Sequence, residues 1–410
     1  MAKKQVVIVG GGFGGIRAAL DLARYKHDLD IILVDKNGYH TFTPDCYKLL
    51  VPASESQAHF NPVKFRLFFS SVTIALAEIF EGRENVELVL DEAVKINPLS
   101  QEVATLGGRQ LQYDWLILAV GSVTNFFDVP GLRSRALEFK TAADALNLRN
   151  AIDEVFIRKG KNEKINIIVG GGGFTGCEVA AELSVYLKKI SSIHSHPARN
   201  IKLIVIEAAP VLLATAGDWV GQKAQDRFKK LGVEIILSDP IVDVRDRTIA
   251  LKSSKIIDYD VLVWTAGIKA NPLTEKITGV AFVKNACIPV NDYLQVSLSP
   301  NIFVVGDAAY CRGPDEKPLP MMAQTAIFQG RYAAYAIKRF LCGREILKFY
   351  SKKISLIIPL DGHYAIANLG RLKMEGFSAW VIKRLAALKY FLSILPVKKA
   401  LKLWLKGARF

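Results

Sequence analysis

Two short glycine-rich turns are the residues of this sequence most suited to chemistry. The turns contain Gly10, Gly12 and Gly15 near the start of the chain, and Gly171, Gly173 and Gly176 much later. In the pattern G-x-G-x-x-G, the first glycine permits a tight bend and the second lets the backbone approach a pyrophosphate. The third allows a helix to pack closely on a strand. Because free N–H groups at a helix start bind phosphates, each turn predicts a dinucleotide site.

One acidic residue follows each turn, at the end of the next apolar stretch. Asp35 ends "DIILVD" and Glu207 ends "IKLIVIE". A carboxylate at this position binds the ribose hydroxyls of a dinucleotide. Since a carboxylate also repels a 2′-phosphate, Glu207 favours NADH over NADPH.

Both turns lie in the strand, turn, helix and strand order that such a site requires. The β-branched runs 6–9 and 165–169 precede the turns, as expected of buried parallel strands, and helical spacing follows each turn. The doubled unit predicts an α/β fold with two Rossmann-like domains. One would hold a flavin dinucleotide, and the other a nicotinamide dinucleotide that reduces it.

Three later stretches are expected to complete these sites. Residues 113–122 and 259–268 read as strands that end in small residues, and 301–310 places Gly306 and Asp307 at the end of another. Ligands bind at this edge of open α/β sheets, so Asp307 is expected to contact a ribityl or phosphate group of the flavin, with or without a helix-capping role. The other residues predicted to line the cofactor sites are Phe13, Gly14, Lys36, Ala119, Gly121, Ala266, Gly267 and Gln324.

The composition narrows the class of protein. The chain has 410 residues and is 50% hydrophobic, which is enough for two or three domains. Its five cysteines are widely spaced without CxxC, so neither a disulfide framework nor a zinc site is expected. His194 and His196 form an HxH pair without a nearby acid, and no metal is predicted. No run approaches the roughly 18–20 apolar residues of a membrane-spanning helix.

Residues 4–335 resemble the flavoproteins that have two dinucleotide-binding domains and use a pyridine nucleotide. The disulfide reductases of this superfamily need a CxxxxC that the chain lacks, and the cysteines do not suit the trisulfide relay of sulfide:quinone oxidoreductases. Cys46, which lies 11 residues after Asp35, leaves open a soluble NADH oxidase or peroxidase with one redox thiol. A redox-sensing flavoprotein of mainly binding function, like the apoptosis-inducing factor group, is a further alternative.

Three segments resemble the type II NADH:quinone oxidoreductases in particular. The segment "NGYHTFTPDCYKLL" is similar to that family's H-x-F-x-P-x-x-Y, with Cys46 in place of a leucine; His40 is expected to order the loop beside the flavin. The segment "GFTGCEVAAEL" is similar to G-x-T-G-x-E-x-x-x-E-L, in which Glu178 matches the acid held near the nicotinamide and flavin.

The third segment, "PLPMMAQTAIFQG", resembles the quinone-site motif of the family. Gln324 matches its first glutamine, whereas Phe328 stands where a second glutamine is common and Gln329 lies beside it. The resemblance implies FAD and NADH as cofactors, with hydride passing from NADH to FAD and two electrons then reducing a membrane quinone without proton pumping. The catalytic residues it implies are Glu178, Gln324 and Gln329.

The last 35 residues, 376–410, carry much of the net charge of +15. They contain eight Lys or Arg and no Asp or Glu, interleaved with large apolar residues at helical spacing and interrupted by Pro396. Such a segment favours the surface of an anionic membrane over nucleic acid. A helix packed on the core or on a dimer partner is the alternative, and a homodimer stays open. The expected location is peripheral, on the cytoplasmic face of the cell membrane.

The predicted organisation has three parts. An FAD domain comprises 1–130 and 286–345 and is split by an NADH domain, 131–285. The C-terminal membrane-associating region covers 346–410.

Overall fold

The computed structural model describes residues 3–50, 69–313, 316–351 and 354–407. The chain divides into two units. The first comprises Met1–Thr41, Thr73–Val123 and Ile268–Ile354, and the second comprises Phe42–Val72, Thr124–Gly267 and Ser355–Phe410, as far as these are described. In this division 42–50, 69–72, 124–130 and the C-terminal helices group with the second unit, whereas 268–285 group with the first.

The first unit is built on a parallel sheet that positions its glycine turn. Its strands are β1 Lys4–Val9, β2 Leu29–Asp35, β3 Tyr39–Thr41, β4 Thr73–Ala75, β5 Val86–Leu90, β6 Ala93–Asn97, β7 Glu102–Thr105, β8 Gln110–Gln112, β9 Trp115–Leu118, β10 Ser122–Thr124 (whose last residue is assigned to the second unit), β19 Ile268–Ala270, β20 Ile288–Pro289, β21 Gln295–Val296, β22 Ser299–Val304 and β23 Ala309–Tyr310. Its helices are α1 Phe13–Leu22, α2 Leu76–Ile79 and α7 Ala323–Leu341.

The main sheet of this unit has the order β21-β22-β9-β1-β2-β5. Strands β22, β9, β1, β2 and β5 are parallel, and only the edge strand β21 is antiparallel. The four residues of β1 from Val6 onward are buried, as a parallel strand covered on both faces requires. Because the carboxyl ends of parallel strands meet at one edge, Gly10, Asp35, Ala119 and Gly306 lie along the same edge of the sheet.

The second unit repeats this design around a smaller sheet. Its strands are β11 Leu137–Glu138, β12 Ile165–Gly170, β13 Ile201–Ile206, β14 Glu234–Ile236, β15 Ile241–Arg245, β16 Thr248–Leu251, β17 Ile256–Asp258, β18 Val261–Trp264, β24 Leu356–Pro359, β25 Ala365–Asn368 and β26 Lys373–Gly376. Its helices are α3 Leu132–Arg135, α4 Ala142–Arg158, α5 Phe174–Ile193, α6 Asp218–Leu231, α8 Phe377–Ile394 and α9 Val397–Lys406.

The main sheet here has the order β11-β18-β12-β13-β14, and every pairing in it is parallel. Strand β12 is flanked by β13 and β18, as β1 is flanked by β2 and β9 in the first unit. Gly171, Glu207 and Thr265 therefore follow neighbouring strands at one edge. The repeated topology confirms the predicted α/β fold with two Rossmann-like halves.

The basic C-terminal segment forms two helices of the second unit, and Pro396 lies between them. Helix α8 packs against the three-stranded sheet β24-β25-β26, and α9 packs back on α8. One face of α8 is buried and includes Ala379, Ala387 and Phe391. One face of α9 is also buried and includes Ala400 and Leu403. In the part of the chain that the structure describes, no helix is long and apolar enough to cross a bilayer.

Candidate functional site

The first glycine turn has the close packing that its three glycines predict. Gly10 has a φ of +109°, and a Cβ built on it would lie 2.3 Å from the carbonyl oxygen of Ala119. A Cβ on Gly15 would lie 1.9 Å from the carbonyl oxygen of Gly10. A side chain at Gly10 would therefore push the turn away from the end of β9, and one at Gly15 would push α1 away from the turn.

Gly12, by contrast, faces open space at the N-terminal end of α1. A Cβ on Gly12 would meet no described atom within 4 Å, and Gly12 is the residue immediately before the helix, which has no side-chain cap. The first N–H groups of a helix need partners, and an approaching phosphate supplies them. These residues fit the pyrophosphate of FAD.

Asp35 orders the glycine turn from the end of β2. Its Oδ2 accepts the backbone N–H of Gly11 at 2.6 Å, and its Oδ1 accepts the N–H of Asn37 at 2.7 Å. Burial raises the pKa of Asp35, and the two backbone hydrogen bonds and the charge of Lys36 offset part of that rise. The predicted contact of Asp35 with a ribose stays a prediction.

His40 supports the same turn from β3. Its Nδ1 lies 3.2 Å from the carbonyl oxygen of Gly11, and its ring packs edge-on against Phe13 with centroids 4.8 Å apart. The side chain is 1% exposed, and burial lowers its pKa to about 4. The imidazole is therefore neutral near pH 7, and its Nδ1–H donates to the Gly11 carbonyl.

The Gly306–Asp307 turn after β22 is held by two side chains. The backbone N–H of Gly306 donates to Oε1 of Gln329 at 2.7 Å, and the hydroxyl of Ser122 donates to Asp307 at 2.5 Å. Gln329 is 1% exposed. Sequence reasoning did not identify Ser122, although its place after the small-residue turn at Gly121 is a usable signal.

Helix α7 places the predicted quinone-site residues on different faces. Gln324 is exposed in the first turn, and Phe328, one turn later, is partly buried on the same side. Gln329 points into the unit, where its carbonyl oxygen is already engaged by Gly306. A role for Gln324 or Gln329 at a quinone stays a prediction, and only Gln324 of this pair has a solvent-exposed amide.

The second glycine turn repeats the geometry of the first. Gly171 has a φ of +113° and a Cβ there would lie 2.7 Å from the Ala266 nitrogen, while a Cβ on Gly176 would lie 1.9 Å from the Gly171 carbonyl oxygen. A Cβ on Gly173 would meet no described atom within 4 Å. The turn leaves the start of α5 open to a pyrophosphate, which fits NADH.

Glu207 also repeats the arrangement of Asp35. Its Oε2 accepts the N–H of Gly172 at 2.5 Å and its Oε1 accepts the N–H of Ala209 at 2.8 Å. The two acids therefore hold equivalent residues of the two turns. Gly267, in the turn after β18, has a φ of +70° and lies against the ring of Phe127. The backbone therefore requires a glycine at this position, in addition to the cofactor contact that the sequence predicts.

Glu178 lies on α5, one turn after the glycine turn. Burial raises its pKa to about 8, an effect partly offset by the charge of Lys383 and increased by that of Asp45. Burial similarly raises the pKa of Glu182, one turn further along, to about 7. Both acids can therefore be protonated or ionised near neutral pH.

A buried group of charged residues, which sequence reasoning missed, lies beside these acids. Asp45 and Lys48 belong to a 3₁₀ helix, Thr43–Leu50, called here the 43–50 segment, and Lys383 belongs to α8. Lys48 contacts Asp45 at 2.7 Å, and Lys383 pairs with the other oxygen of the same carboxylate. The composition of the basic tail indicates an exposed surface, so nothing in the sequence indicates that Lys383 points inward.

Cys46 is enclosed in the same unit. Its side chain is 3% exposed, and burial raises the pKa of the thiol, as do the charges of Asp45, Asp144 and Glu178. Because the thiolate is the reactive form, this environment makes Cys46 inert. Cys46 therefore acts as a core packing residue, as the leucine at the same position of the related motif would.

Comparisons with known proteins agree with this arrangement. Residues 4–330 match the family model described as pyridine nucleotide-disulphide oxidoreductase. The type II NADH:quinone oxidoreductase Ndh of Mycobacterium tuberculosis is 30% identical, with 95% of this chain and 85% of that protein covered. The type II NADH:quinone oxidoreductase of Staphylococcus aureus is 26% identical, with 93% and 94% covered.

Solved structures show the same fold at lower identity. The structure of NDH2 from Plasmodium falciparum in complex with NADH has a TM-score of 0.84 at 18% identity and covers 100% of this chain and 98% of that one. The sulfide:quinone oxidoreductase of Aquifex aeolicus has a TM-score of 0.77 at 21% identity, with 99% and 93% covered. The chain thus belongs to the pyridine nucleotide-disulphide oxidoreductase family and, within it, to the type II NADH:quinone oxidoreductases.

Proposed function

We propose that this protein oxidises NADH and reduces a membrane quinone, with FAD as its resident cofactor and without proton pumping. The observation that carries the proposal is the repeated link between turn and acid. Asp35 holds Gly11 in one unit and Glu207 holds Gly172 in the other, so each unit has its own ordered dinucleotide turn.

The first unit supplies the FAD site. Gly10, Gly12 and Gly15 provide the turn, Asp35 the ribose acceptor, and Asp307 a further polar group at the same sheet edge. FAD, when bound, supplies the capacity to accept a hydride from NADH and to release two electrons to a quinone. His40 and Gln329 contribute by fixing the backbone at Gly11 and Gly306.

The second unit supplies the NADH site. Gly171, Gly173 and Gly176 leave the start of α5 open for the pyrophosphate, and Glu207 accepts the ribose hydroxyls. Because both oxygens of Glu207 are held by backbone N–H groups, its negative charge is fixed in place. A 2′-phosphate would lie against that charge, so NADPH is a poor donor.

Glu178 holds the proton that accompanies quinone reduction. Its raised pKa, about 8, lets it accept and release a proton near neutral pH. Gln324 offers an exposed amide, which is both a donor and an acceptor for a quinone carbonyl. Cys46 takes no part, since a buried thiol of raised pKa cannot act as the redox group of an oxidase or peroxidase.

The C-terminal helices bring the protein to the cytoplasmic face of a membrane, where the quinone is found. Their solvent-facing sides carry large apolar side chains that are 40–64% exposed, namely Phe377, Leu385, Leu392, Val397, Leu401 and Leu405. Exposed lysines flank this apolar face at 389, 398 and 402. An apolar stripe bordered by cations suits the interface of an anionic bilayer.

Anaerobic NADH oxidation by the purified FAD-loaded protein tests the proposal. Fast turnover with a short-chain quinone, persisting in a Cys46→Ser variant, is expected. Turnover that needs oxygen or peroxide and is lost in Cys46→Ser would assign the protein to the oxidase branch. Slow turnover with every acceptor would favour a protein of mainly binding function.

A further inference from the structure

One carboxylate of the second unit, Asp45, binds two buried cations. Asp45 is 4% exposed, Lys383 7% and Lys48 9%. Lys383 also contacts the hydroxyl of Tyr47 at 2.7 Å, and Lys48 donates to the carbonyl oxygen of Gly407 at 3.2 Å. Burial raises the pKa of Asp45, but the two ammonium groups outweigh it, and the net shift is downward.

Glu178 lies beside this group without being bound by it. Helix α5, which carries Glu178, packs directly on the 43–50 segment. The charges that act on Glu178 are those of Lys383, which favours its ionised form, and Asp45, which opposes it. Within the described ranges, Glu178 nevertheless makes no ion pair with Lys383, because the ammonium group is held by Asp45 and Tyr47.

We propose that Asp45 is a positioning residue that holds the Lys383 ammonium on the 43–50 segment, so that Lys383 neighbours Glu178 without pairing with it. This inference rests on the proposed function of Glu178 as the proton-holding acid. If Lys383 were released, its flexible stem would let it pair with Glu178 or Glu182, the two acids of α5 on which its charge acts. An acid paired with an ammonium group loses its proton more readily.

The other groups around Glu178 do not offer an equivalent partner. Cys46 and Tyr47 of the 43–50 segment and Cys177 of α5 all have their pKa raised, first by burial and also by the charge of Glu178. Arg384, next to Lys383, is turned toward Trp404, whose carbonyl oxygen it contacts at 2.6 Å. Among the described residues, Lys383 is therefore the cation whose charge favours the ionised form of Glu178, whereas Lys48, which Asp45 also holds, acts on Glu182.

An Asp45→Asn variant tests the inference, because it keeps the shape of the side chain and removes its charge. The readout is the infrared carbonyl band of the protonated Glu178 carboxyl, titrated with pH in the full FAD-loaded protein and assigned by its absence in Glu178→Gln. In Asp45→Asn the midpoint should move to lower pH by about one unit. The pH profile of NADH oxidation should move in the same direction.

Two controls distinguish the positioning of Lys383 from a direct effect of the Asp45 charge on Glu178. In the Lys383→Met background, the shift caused by Asp45→Asn should shrink, because only the direct effect of the Asp45 charge on Glu178 remains. A shift of the same size in both backgrounds would mean that Asp45 acts only through its own charge and would overturn the inference. Asp45→Glu should restore the original midpoint. If Asp45→Asn does not fold, Tyr47→Phe removes one of the two groups that hold Lys383, and a smaller shift in the same direction is expected.

The infrared titration needs no turnover and is therefore independent of the proposed function. If the unmodified protein fails to reduce a quinone while the midpoint still shifts through Lys383, the positioning role stands and the quinone reductase assignment fails. An unchanged midpoint in both Asp45→Asn and Tyr47→Phe, in a protein that does reduce quinone, would overturn the role of Asp45.

Discussion

The side-chain carbonyl of Gln329 accepts the backbone N–H of Gly306 at 2.7 Å, which ties helix α7 to the turn that carries Asp307. Gln329→Met should therefore weaken FAD retention, since the partly buried Gly306 N–H would lose its acceptor at a cost of about 1–3 kcal/mol. FAD release on dilution and the Tm measure the effect. Gln324→Met is the matched control: it leaves the Gly306 N–H its acceptor, so it should raise the KM for quinone and lower FAD retention less than Gln329→Met does. Equal FAD retention in both variants would contradict this role of Gln329.

Glu207 should determine the choice between NADH and NADPH. Glu207→Gln keeps one oxygen for the Gly172 N–H and removes the negative charge that we propose faces the 2′ position of the nucleotide. We expect kcat/KM for NADH to fall by about tenfold, which corresponds to about 1.4 kcal/mol, while kcat/KM for NADPH rises. Asp35→Asn is the control, because it should lower FAD retention without changing the ratio of the two donors. An unchanged ratio in Glu207→Gln would show that another group reads the 2′ position.

The exposed apolar side of α8 and α9 should govern membrane binding separately from folding. Leu385→Ser, Leu401→Ser and Leu405→Ser should each weaken binding to anionic vesicles by about 1.5 kcal/mol while changing the Tm little, because these side chains are 40–55% exposed. Flotation of the protein with vesicles measures the loss. Leu99→Ser and Leu106→Ser, which alter even more exposed leucines of the first unit, should not change flotation.

Deleting 376–410 is a poorer test of the same surface. The deletion removes Lys383 and Arg384, which are 7% and 5% exposed, together with the exposed apolar side chains. Removing one partner of a buried ion pair costs about 3–5 kcal/mol, so the truncated protein should lose stability as well as membrane binding. Truncation with an unchanged Tm would mean that the 43–50 segment does not depend on the tail.

The acid stability of the first unit should depend on His40. Its pKa is lowered to about 4 by burial, from an ordinary value of 6.5. The unfolded chain therefore binds a proton that the folded one does not, and stability is lost as pH falls from about 6.5 towards 4, by up to about 3 kcal/mol. His40→Phe should reduce the fall in Tm between pH 7 and pH 5. An equal fall in both proteins would assign the acid sensitivity elsewhere.

Much of this architecture can be predicted from sequence because local patterns carry it. Each glycine turn is specified by one local run of strand, turn, helix and acid, 6–35 in the first unit and 165–207 in the second. The structure places Gly10 and Gly171 at nearly equal φ angles. Spacing also identifies the acid at the end of the following strand, although it does not indicate that this acid binds the turn backbone.

The buried ions cannot be predicted in this way. Asp45 and Lys383 are 338 residues apart, and Lys383 lies in a segment whose composition indicates a solvated basic surface. Sequence periodicity gives the faces of a helix, but it does not say which face a distant segment covers. Gln329 shows the same limit within one helix: Gln324, five residues earlier, is exposed, whereas the packing of α7 on α1 and on the Gly306 turn buries Gln329.

Ionisation of Glu178 should reduce the stability of the folded protein as the pH rises. Burial raises its pKa to about 8, so the folded state holds a proton that the unfolded chain releases near its ordinary value of 4.5. Stability should therefore fall as pH rises from about 4.5 to 8, with a loss of at most a few kcal/mol. Glu178→Gln, which has no proton to lose, should be more stable than the unmodified protein at pH 8 and similar to it at pH 5. Its turnover with NADH and quinone should be slower at both values. Thermal unfolding at the two pH values measures the difference, with Glu154→Gln on the outer part of α4 as the surface control. A Glu178→Gln variant that gains no stability at pH 8 would show that Glu178 is already ionised and solvated in the folded protein.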